Sequence, residues 1–146
     1  MNPPWAAASS AARKAVIMLL IQKSRIEGRG LFTDSPIAAR TKVGEFTGEH
    51  IAVREARRRA RSRKHIAIVE LNCKEAIDGC VRGGPFRYIN HSCSPNVFIR
   101  VAYDRVEFYA KRDLAAGEEM TVDYGVSHHN GELRCKCKSL NCRDFI

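Results

Sequence analysis

The sequence predicts a mainly β domain of short strands, with one short helix on its surface. Apolar runs are short and are separated by glycine, proline or charged residues, a pattern typical of strands. A single stretch is rich in alanine, arginine and glutamate and lacks glycine and proline, which favours a helix. Strand and helix patterns do not alternate, which argues against a doubly wound nucleotide-binding fold. With 146 residues, 45% of them apolar, the chain is long enough for one domain with its own core.

The first element is an apolar run at residues 16–21, bounded by charged residues, for which we expect a buried strand. Residues 1–15 are expected to be a disordered leader, with a transit peptide as the alternative because no acidic residue precedes Glu27. The apolar run is far too short to cross a bilayer.

A glycine turn and a surface helix are the next features. Gly28 and Gly30 flank one residue, which permits a tight turn and a close approach of backbone N–H groups to a ligand. Residues 41–46 read as a strand. The helix is predicted at residues 53–64, and its thin apolar stripe, Ala56 with Ala60, indicates that it lies on the surface.

The second half of the chain contains the remaining strands. Two apolar runs that Asn72 and Cys73 separate predict a strand pair, and two further runs around Asp104 predict a hairpin. The predicted strands are residues 66–71 and 75–77, then 97–103 and 105–109, and finally the short run 120–122.

The chain is strongly basic, with a formal net charge of +9, and much of the excess lies in residues 54–64. The simplest interpretation of this run is a solvated helix face. It would also suit nucleic acid, an acidic surface or an acidic protein partner.

Three of the six cysteines, Cys135, Cys137 and Cys142, lie within eight residues of one another. This spacing is too cramped for a disulfide framework and suits thiolates around one metal ion, which favours a reducing, intracellular setting. Structural zinc takes a fourth ligand. From the residues alone that ligand stays open between another cysteine and a histidine, His128 or His129.

Five motifs occur in a fixed order, and together they resemble the SET-domain family of protein lysine methyltransferases with a cysteine-rich post-SET tail. They are GRGLF (28–32), EFTGE (45–49), RYINHSCSPN (87–96), GEEMTVDYG (117–125) and CKCKSLNC (135–142). The resemblance implies a SET-domain fold of small twisted β-sheets with a knot-like C-terminal crossing. It divides the chain into a SET domain at 16–126 and a zinc-binding post-SET tail at 127–146.

The resemblance also assigns roles to single residues. It implies S-adenosylmethionine as cofactor, a lysine that enters from the opposite face, and Tyr124 as the catalytic tyrosine. Cys93 becomes the fourth zinc ligand, beside Cys135, Cys137 and Cys142. The cofactor-binding positions that it implies are Gly28, Arg29, Gly30, Leu31, Arg87, Tyr88, Asn90, His91 and Tyr124. Cys73 and Cys80 are left as buried or half-buried residues without a role.

Two positions depart from the family pattern in the implied lysine channel. Phe46 stands where many members have tyrosine, and Val122 stands where several have phenylalanine or tyrosine. Both changes leave more room around the amine, which leads to the hypothesis that methylation proceeds beyond one methyl group.

The implied function is S-adenosylmethionine-dependent methylation of a lysine in a protein such as a histone, in the nucleus of a eukaryote or the cytoplasm of a bacterium. A basic helix would repel a basic tail unless acidic groups intervene, and Glu107, Glu118, Glu119 and Asp123 are candidates. One alternative is a SET-fold binding module of low activity that acts through its basic helix and zinc tail. Another is a basic nucleic-acid-binding protein with a zinc knuckle, although the aromatic residues are not spaced as a stacking platform.

Overall fold

The computed structural model describes residues 16–146, so the predicted leader at residues 1–15 lies outside the described part. The described residues form three small sheets and one α-helix. In chain order the elements are β1 (Leu19–Lys23), β2 (Arg29–Thr33), β3 (Lys42–Phe46), β4 (Glu49–Ala52), α1 (Val53–Ser62), β5 (Ile68–Glu70), β6 (Glu75–Asp78), β7 (Asn90–His91), β8 (Val97–Ala102), β9 (Arg105–Ala110) and β10 (Glu119–Val122). A 3₁₀ turn, Pro85–Tyr88, precedes β7.

The sheet that organises the domain has the strand order β1-β2-β10-β7. Strand β10 pairs with β2 in antiparallel fashion and with β7 in parallel fashion. In the parallel pair, Thr121 lies opposite Asn90 and Val122 lies opposite His91. Parallel neighbours need a crossover connection. The chain therefore runs from β7 through β8 and β9 before β10 comes to lie beside the central segment, which is residues 87–96.

The other two sheets have the orders β3-β9-β8 and β4-β6-β5. The predicted hairpin around Asp104 is confirmed as β8–β9, with Tyr103 and Asp104 at φ of 53° and 58°. Two consecutive residues with positive φ are typical of the tight turns that suit strand twist. The predicted pairing of residues 66–71 with 75–77 is confirmed as β5–β6, and β5 is left as an edge strand.

One apolar core joins the three sheets. Leu31 and Met120 come from the first sheet, Phe108 from the second and Ile77 from the third, and each is at most 2% exposed. Phe86 of the 3₁₀ turn stacks on Phe108 with ring centroids 4.5 Å apart. This packing fixes the 3₁₀ turn, and therefore the start of β7, against the first two sheets.

Helix α1 confirms the predicted surface helix and ends at Ser62. Its buried residues are Val53, Ala56 and Ala60, which match the thin apolar stripe of the sequence. Polar contacts add to this small apolar contact: the carboxylate of Asp78, which is fully buried, accepts hydrogen bonds from Arg59 at 2.9 Å and Arg63 at 2.7 Å.

The prediction of a buried strand at residues 16–21 is wrong in position and in burial. The strand is β1, which starts at Leu19, and it lies at the edge of its sheet with β2 as its one partner. Val16 is 83% exposed and Ile21 is 42% exposed. An apolar run of this length does not distinguish an edge strand from a central one.

Three strands were not predicted, β2, β4 and β7, because their residues read locally as turn and charge. Strand β2 includes the second glycine of the turn at 28–30, and β4 begins with Glu49 and His50. Within residues 16–146, no helix is long and apolar enough to span a membrane.

The buried carboxylate of Asp78 leads to a stability prediction. Burial alone would raise the pKa of Asp78, but hydrogen bonds from Arg59, Arg63 and the Cys80 N–H outweigh it, so the pKa is lowered. We expect Asp78→Asn to reduce the free energy of unfolding at neutral pH by about 3 kcal/mol, because half-buried Arg63 loses the carboxylate that it pairs with and Arg59 loses one of three. Urea unfolding measures this change.

A matched control is Glu55→Gln, which removes a surface partner of Arg58 and Arg59 and should cost much less than Asp78→Asn. Because the folded-state pKa of Asp78 lies below its unfolded value of about 3.9, the stabilisation is present above that pH and is lost as the pH falls through the folded value. A difference between wild type and Asp78→Asn that did not change down to that acidic range would contradict the ion-pair explanation.

Candidate active site and metal centre

The central segment and strand β10 cross each other, and polar groups fasten the crossing from both sides. Besides the β7–β10 pairing, the Ser92 N–H donates to the Val122 carbonyl at 2.9 Å. Asn96, which is 5% exposed, accepts the Thr121 N–H at 2.8 Å and donates to the Glu119 carbonyl at 2.8 Å. A buried amide with its donors and acceptors paired fixes the two chains in one register.

Asn90 joins the glycine turn to this crossing. Its Nδ2 donates to the carbonyls of Glu27 and Arg29, each at 3.1 Å, and to Glu119 Oε1 at 3.0 Å. A Cβ at Gly30 would come within 2.2 Å of the same carboxylate oxygen, so a larger residue there would require the Glu119 side chain to move. The sequence predicted that the backbone of this turn approaches a ligand closely. In this structure its close neighbour is the Glu119 side chain.

Tyr124 lies just beyond β10 and is held at both ends. Its backbone N–H donates to His91 Nδ1 at 3.0 Å, and its hydroxyl donates to the Ile89 carbonyl at 2.7 Å. Burial, with the negative charge of Glu119, raises the pKa of Tyr124 to about 12. The side chain is therefore a neutral phenol whose hydrogen is engaged and whose oxygen lone pairs can accept a further hydrogen bond.

A cleft of about 710 Å³ opens beside Tyr124. Edge strand β5 and helix α1 form one wall, and residues 126–130 form another. Phe46, Phe86, Ile89, Phe108 and Ile99 give the cleft an apolar lining. The ring of Phe46 packs against Gly79. A Cβ added at Gly79 would lie 2.6 Å from Phe46 Cζ. Polar residues, among them Arg87, His128 and His129, also line the cleft, and such a mixture is typical of ligand-binding sites.

His91 is buried, with 5% of its surface exposed, and both ring nitrogens have partners. Nδ1 accepts the Tyr124 N–H, and Nε2 lies 3.3 Å from Cys93 Sγ. Burial lowers the pKa of His91, Asp123 opposes this and Arg143 adds to it, so the ring is neutral near pH 7. With the ring committed in this way, a contact with a cofactor would come from the His91 backbone.

The sulfur atoms of Cys93, Cys135, Cys137 and Cys142 form one cluster, all within 4.8 Å of one another. A tetrahedral zinc ion with Zn–S bonds of about 2.3 Å needs sulfurs about 3.8 Å apart. The Cys93–Cys135 sulfur distance is 3.8 Å, so the residues fit a zinc ion. All six cysteines are free thiols. Cys73 was expected to be buried or half-buried, but it is exposed, because it lies in the turn between β5 and β6.

The thiols of the cluster differ in pKa. Burial would raise the pKa of Cys137, but the Ser139 hydroxyl and backbone N–H groups lower it to about 5. Burial and the neighbouring thiols raise the pKa of Cys135 to about 12. A divalent cation at the centre would allow every ligand to ionise, and metal binding would then release protons.

The tail that carries three of these thiols also contacts the central segment directly. Ser94 Oγ donates to Asn141 Oδ1 at 2.9 Å, and the Arg143 N–H donates to Cys93 Sγ at 3.4 Å. The Arg143 guanidinium donates to Asp123 at 2.7 Å, directly before Tyr124. The tail is therefore attached to both chains of the crossing.

The remaining predicted site residues lie at the cleft, in the core or in the turn before β2. Arg87 lines the cleft and stacks over the Tyr88 ring, 4.7 Å from its centroid. Leu31 and Val122 are at most 1% exposed and lie in the core, so Leu31 presents only its backbone, and Val122 lies behind the cleft rather than among its lining residues. Gly28, with φ of 46°, forms the turn before β2.

Sequence reasoning missed three residues that build the site. In the sequence Asn96 is only the last residue of a motif, Glu119 is a candidate acid for a basic tail, and Arg143 has no predicted role. Their partners, among them Asn90 and Asp123, are distant in sequence. The one available signal was their position inside or next to the motifs.

Residues 28–125 match the family described as SET domain. The probable histone-lysine N-methyltransferase set-23 of Caenorhabditis briggsae is 36% identical over 136 residues, which are 82% of this chain and 56% of that protein. The H3 lysine-36 specific histone-lysine N-methyltransferase of Saccharomyces cerevisiae is 33% identical over 144 residues, 92% of this chain and 20% of that protein.

A solved structure described as "crystal structure of KRYPTONITE in complex with mCHG DNA and SAH" has a TM-score of 0.74 and 26% sequence identity. The match covers 89% of this chain and 29% of that chain. It confirms the fold class expected from the motifs. The chain spans no more than 56% of the length of the relatives and the structure described above.

The cysteine cluster predicts one zinc ion per chain. We expect the purified protein to contain one equivalent of zinc by elemental analysis, and Cys93→Ser to lose it, because three thiolates hold zinc less tightly than four. Cys73→Ser is the matched control, since Cys73 is exposed and outside the cluster, and it should keep the full equivalent. Equal zinc content in the two variants would show that Cys93 is not a ligand.

Proposed function

This chain belongs to the SET-domain family, and we propose that it is an S-adenosylmethionine-dependent protein-lysine N-methyltransferase. The observation that carries the proposal is Tyr124, a buried neutral phenol at the cleft whose backbone and hydroxyl are both fixed by the central segment. The names of the two relatives and the SAH in the similar structure support it.

Methyl transfer is an in-line displacement at carbon, so the protein must align the amine and exclude water. The bound cofactor supplies the methyl group on a sulfonium. In the cleft, Phe46 and Ile89 surround the lysine stem with apolar groups, which lower the pKa of the amine and favour its neutral form. The Tyr124 hydroxyl hydrogen points to Ile89, so its oxygen accepts an amine N–H and turns the nitrogen lone pair towards the methyl group.

We assign the opposite face of the crossing to the cofactor. Asn90 holds the glycine turn against β7, and a Cβ at Gly28 would meet nothing within 4 Å, so the turn leaves open space at that position. The cofactor contacts assigned to Gly28, Arg29, Gly30, Leu31, Arg87, Tyr88, Asn90, His91 and Tyr124 are part of this proposal. Zinc, held by Cys93, Cys135, Cys137 and Cys142, keeps the tail against the same segment.

The cleft supports an extended peptide as substrate. Strand β5 is an edge strand that lines the cleft, so a peptide could add beside it through main-chain hydrogen bonds. The acids considered as partners for a basic tail are already paired within the protein: Glu107 with Lys42, Glu118 with Arg112, and Asp123 with Arg143. We propose a histone-like or other chromatin protein as substrate, by analogy with the named relatives, and hence a nuclear location in a eukaryote or a cytoplasmic one in a bacterium.

Nucleic acid is a second proposed partner, and the structure changes which residues would bind it. Three arginines of α1 are already in ion pairs. Arg57 pairs with Glu70, and Arg58 pairs with Glu55. Arg59 pairs with Glu49, Glu55 and Asp78. A shallow basic groove is lined by Arg54, Arg57, Arg61 and Lys74, and it adjoins the cleft because Arg57 and Arg61 line both. Within residues 16–146, Arg54, Arg61 and Lys74 form no ion pair, so they are free to contact phosphates.

The first prediction concerns Tyr124. We expect Tyr124→Phe to lower kcat about 100-fold or more while S-adenosylmethionine binds with an affinity changed less than about 2-fold, because only the positioning of the amine is lost. Tritium transfer and calorimetry measure the two quantities, and Tyr103→Phe, at a site 89% exposed, is the matched control. An unchanged kcat would remove Tyr124 from the mechanism.

The pH dependence follows from the raised pKa of Tyr124. Because the phenol stays neutral to about pH 12, the rate should rise with pH as the substrate ammonium deprotonates, without a fall caused by tyrosine ionisation near pH 10.

Mass spectrometry of the same reactions reads the number of methyl groups, which we propose exceeds one. Only monomethyl product at long times, with Phe46→Tyr changing nothing, would oppose that proposal.

The nucleic-acid prediction uses a charge-matched pair of variants. Replacing Arg54, Arg61 and Lys74 by glutamine should weaken binding to a short DNA duplex and reduce the slope of log K against log salt by about 2 to 3. The control replaces three paired arginines, Arg58, Arg105 and Arg112, and removes the same charge. Equal slopes for the two triple variants would exclude the basic groove as the binding site.

A further inference from the structure

The buried ring of His91 connects the metal cluster to Tyr124, and the proposed reaction alone does not require this. Nδ1 lies 3.0 Å from the Tyr124 backbone nitrogen, and Nε2 lies 3.3 Å from Cys93 Sγ. The His91 and Tyr124 rings also contact each other, with centroids 5.2 Å apart. One side chain therefore bridges a metal-ligand sulfur and the backbone of the residue that lies beside the substrate cleft.

The two contacts determine which nitrogen carries the proton. A backbone N–H is always a donor, so Nδ1 must be unprotonated to accept from Tyr124. In a neutral imidazole the hydrogen is then on Nε2, which points it at the Cys93 sulfur. A metal-bound thiolate is an acceptor only, so this arrangement satisfies both groups.

Arg143 does not compete for this hydrogen bond. Its guanidinium lies 3.5 Å from Nε2, but a guanidinium can only donate and the same nitrogen donates to Asp123 Oδ1 at 2.7 Å. Asp123 Oδ1 lies 3.7 Å from Nδ1, farther than the Tyr124 nitrogen. Sulfur is thus the acceptor that remains for the Nε2 hydrogen.

We propose that His91 is a positioning residue that links metal occupancy of the cysteine cluster to the placement of Tyr124. When the metal holds Cys93, the sulfur is a fixed acceptor that orients the imidazole, and the imidazole orients the Tyr124 backbone. Without the metal, Cys93 is a thiol free to rotate, and the ring loses one of its two anchors. The link itself rests on the geometry, and only its consequence for catalysis rests on the proposed function.

Two variants separate the halves of the link. His91→Asn places an amide oxygen where Nδ1 lies and so keeps an acceptor for the Tyr124 N–H, but it is too short to reach Cys93. His91→Gln places an amide nitrogen near the position of Nε2, so it keeps the donor to sulfur and loses the acceptor for Tyr124. Both substitutes are polar and similar in size, which limits the disturbance to folding.

Selective labelling makes Tyr124 directly observable in the full chain. The protein has four tyrosines, so ¹⁵N-tyrosine gives four backbone amide signals, and Tyr124→Phe identifies the one of interest. Tyr103, which is 89% exposed, is the internal reference. We expect removal of zinc by a chelator to shift the Tyr124 signal in the wild type and to leave it nearly unmoved in both His91 variants.

The metal site is read independently through cobalt substitution and zinc release. His91→Asn should weaken zinc binding about 10-fold or more, as loss of a hydrogen bond to a ligand does, and should move the sulfur-to-cobalt charge-transfer band to lower energy. His91→Gln should stay near the wild type in both measurements. Long-range ¹H–¹⁵N spectra of the zinc-loaded protein should show the hydrogen on Nε2.

The link is overturned if the hydrogen of His91 is on Nδ1, or if the Tyr124 signal responds to zinc removal as strongly in His91→Asn as in the wild type. It is also overturned if the cobalt band does not differ between His91→Asn and the wild type. None of these measurements needs methyl transfer. An intact link in a protein without transferase activity would therefore contradict the proposed function alone.

Discussion

The parallel pairing of β7 with β10 is the contact on which the rest of the site depends. It places Asn90 opposite Thr121 and His91 opposite Val122, so residues from the middle and the end of the chain share one register. A shift by one residue would turn His91 away from Tyr124 and Asn90 away from the glycine turn. The buried amide of Asn96 opposes such a shift, because it would lose its hydrogen bonds to β10.

The metal cluster extends this constraint to the tail. Residues 127–146 bury little apolar surface of their own, and Leu140 is fully exposed, so a hydrophobic core cannot hold this segment in place. Zinc held by one thiolate of the central segment and three of the tail would supply the missing stabilisation. One of the four sulfurs, that of Cys93, contacts His91, which in turn contacts the Tyr124 backbone, so the metal cluster and the cleft are parts of one polar network.

The local pattern of the sequence was sufficient for α1, for the β8–β9 hairpin and for the β5–β6 pair, since each depends on neighbouring residues. It did not reveal β2 or β4, whose glycine and charged residues are acceptable only because distant strands pair with them. It also could not show that Arg57, Arg58 and Arg59 are neutralised, because several of the acids come from β4, β5 and β6. The cysteine spacing indicated a metal site; the resemblance, and then the structure, identified Cys93 as the fourth member of the cluster.

The central claim is that the crossing holds S-adenosylmethionine beside Tyr124, and calorimetric titration of that compound into the zinc-loaded chain tests it most directly. Asn90→Ala provides the comparison, because it releases the glycine turn without touching the cysteines or the cleft. The account predicts one molecule bound per chain, with affinity at least about 10-fold weaker in the variant. No binding to the folded, zinc-loaded wild type, or equal binding to both proteins, would contradict it.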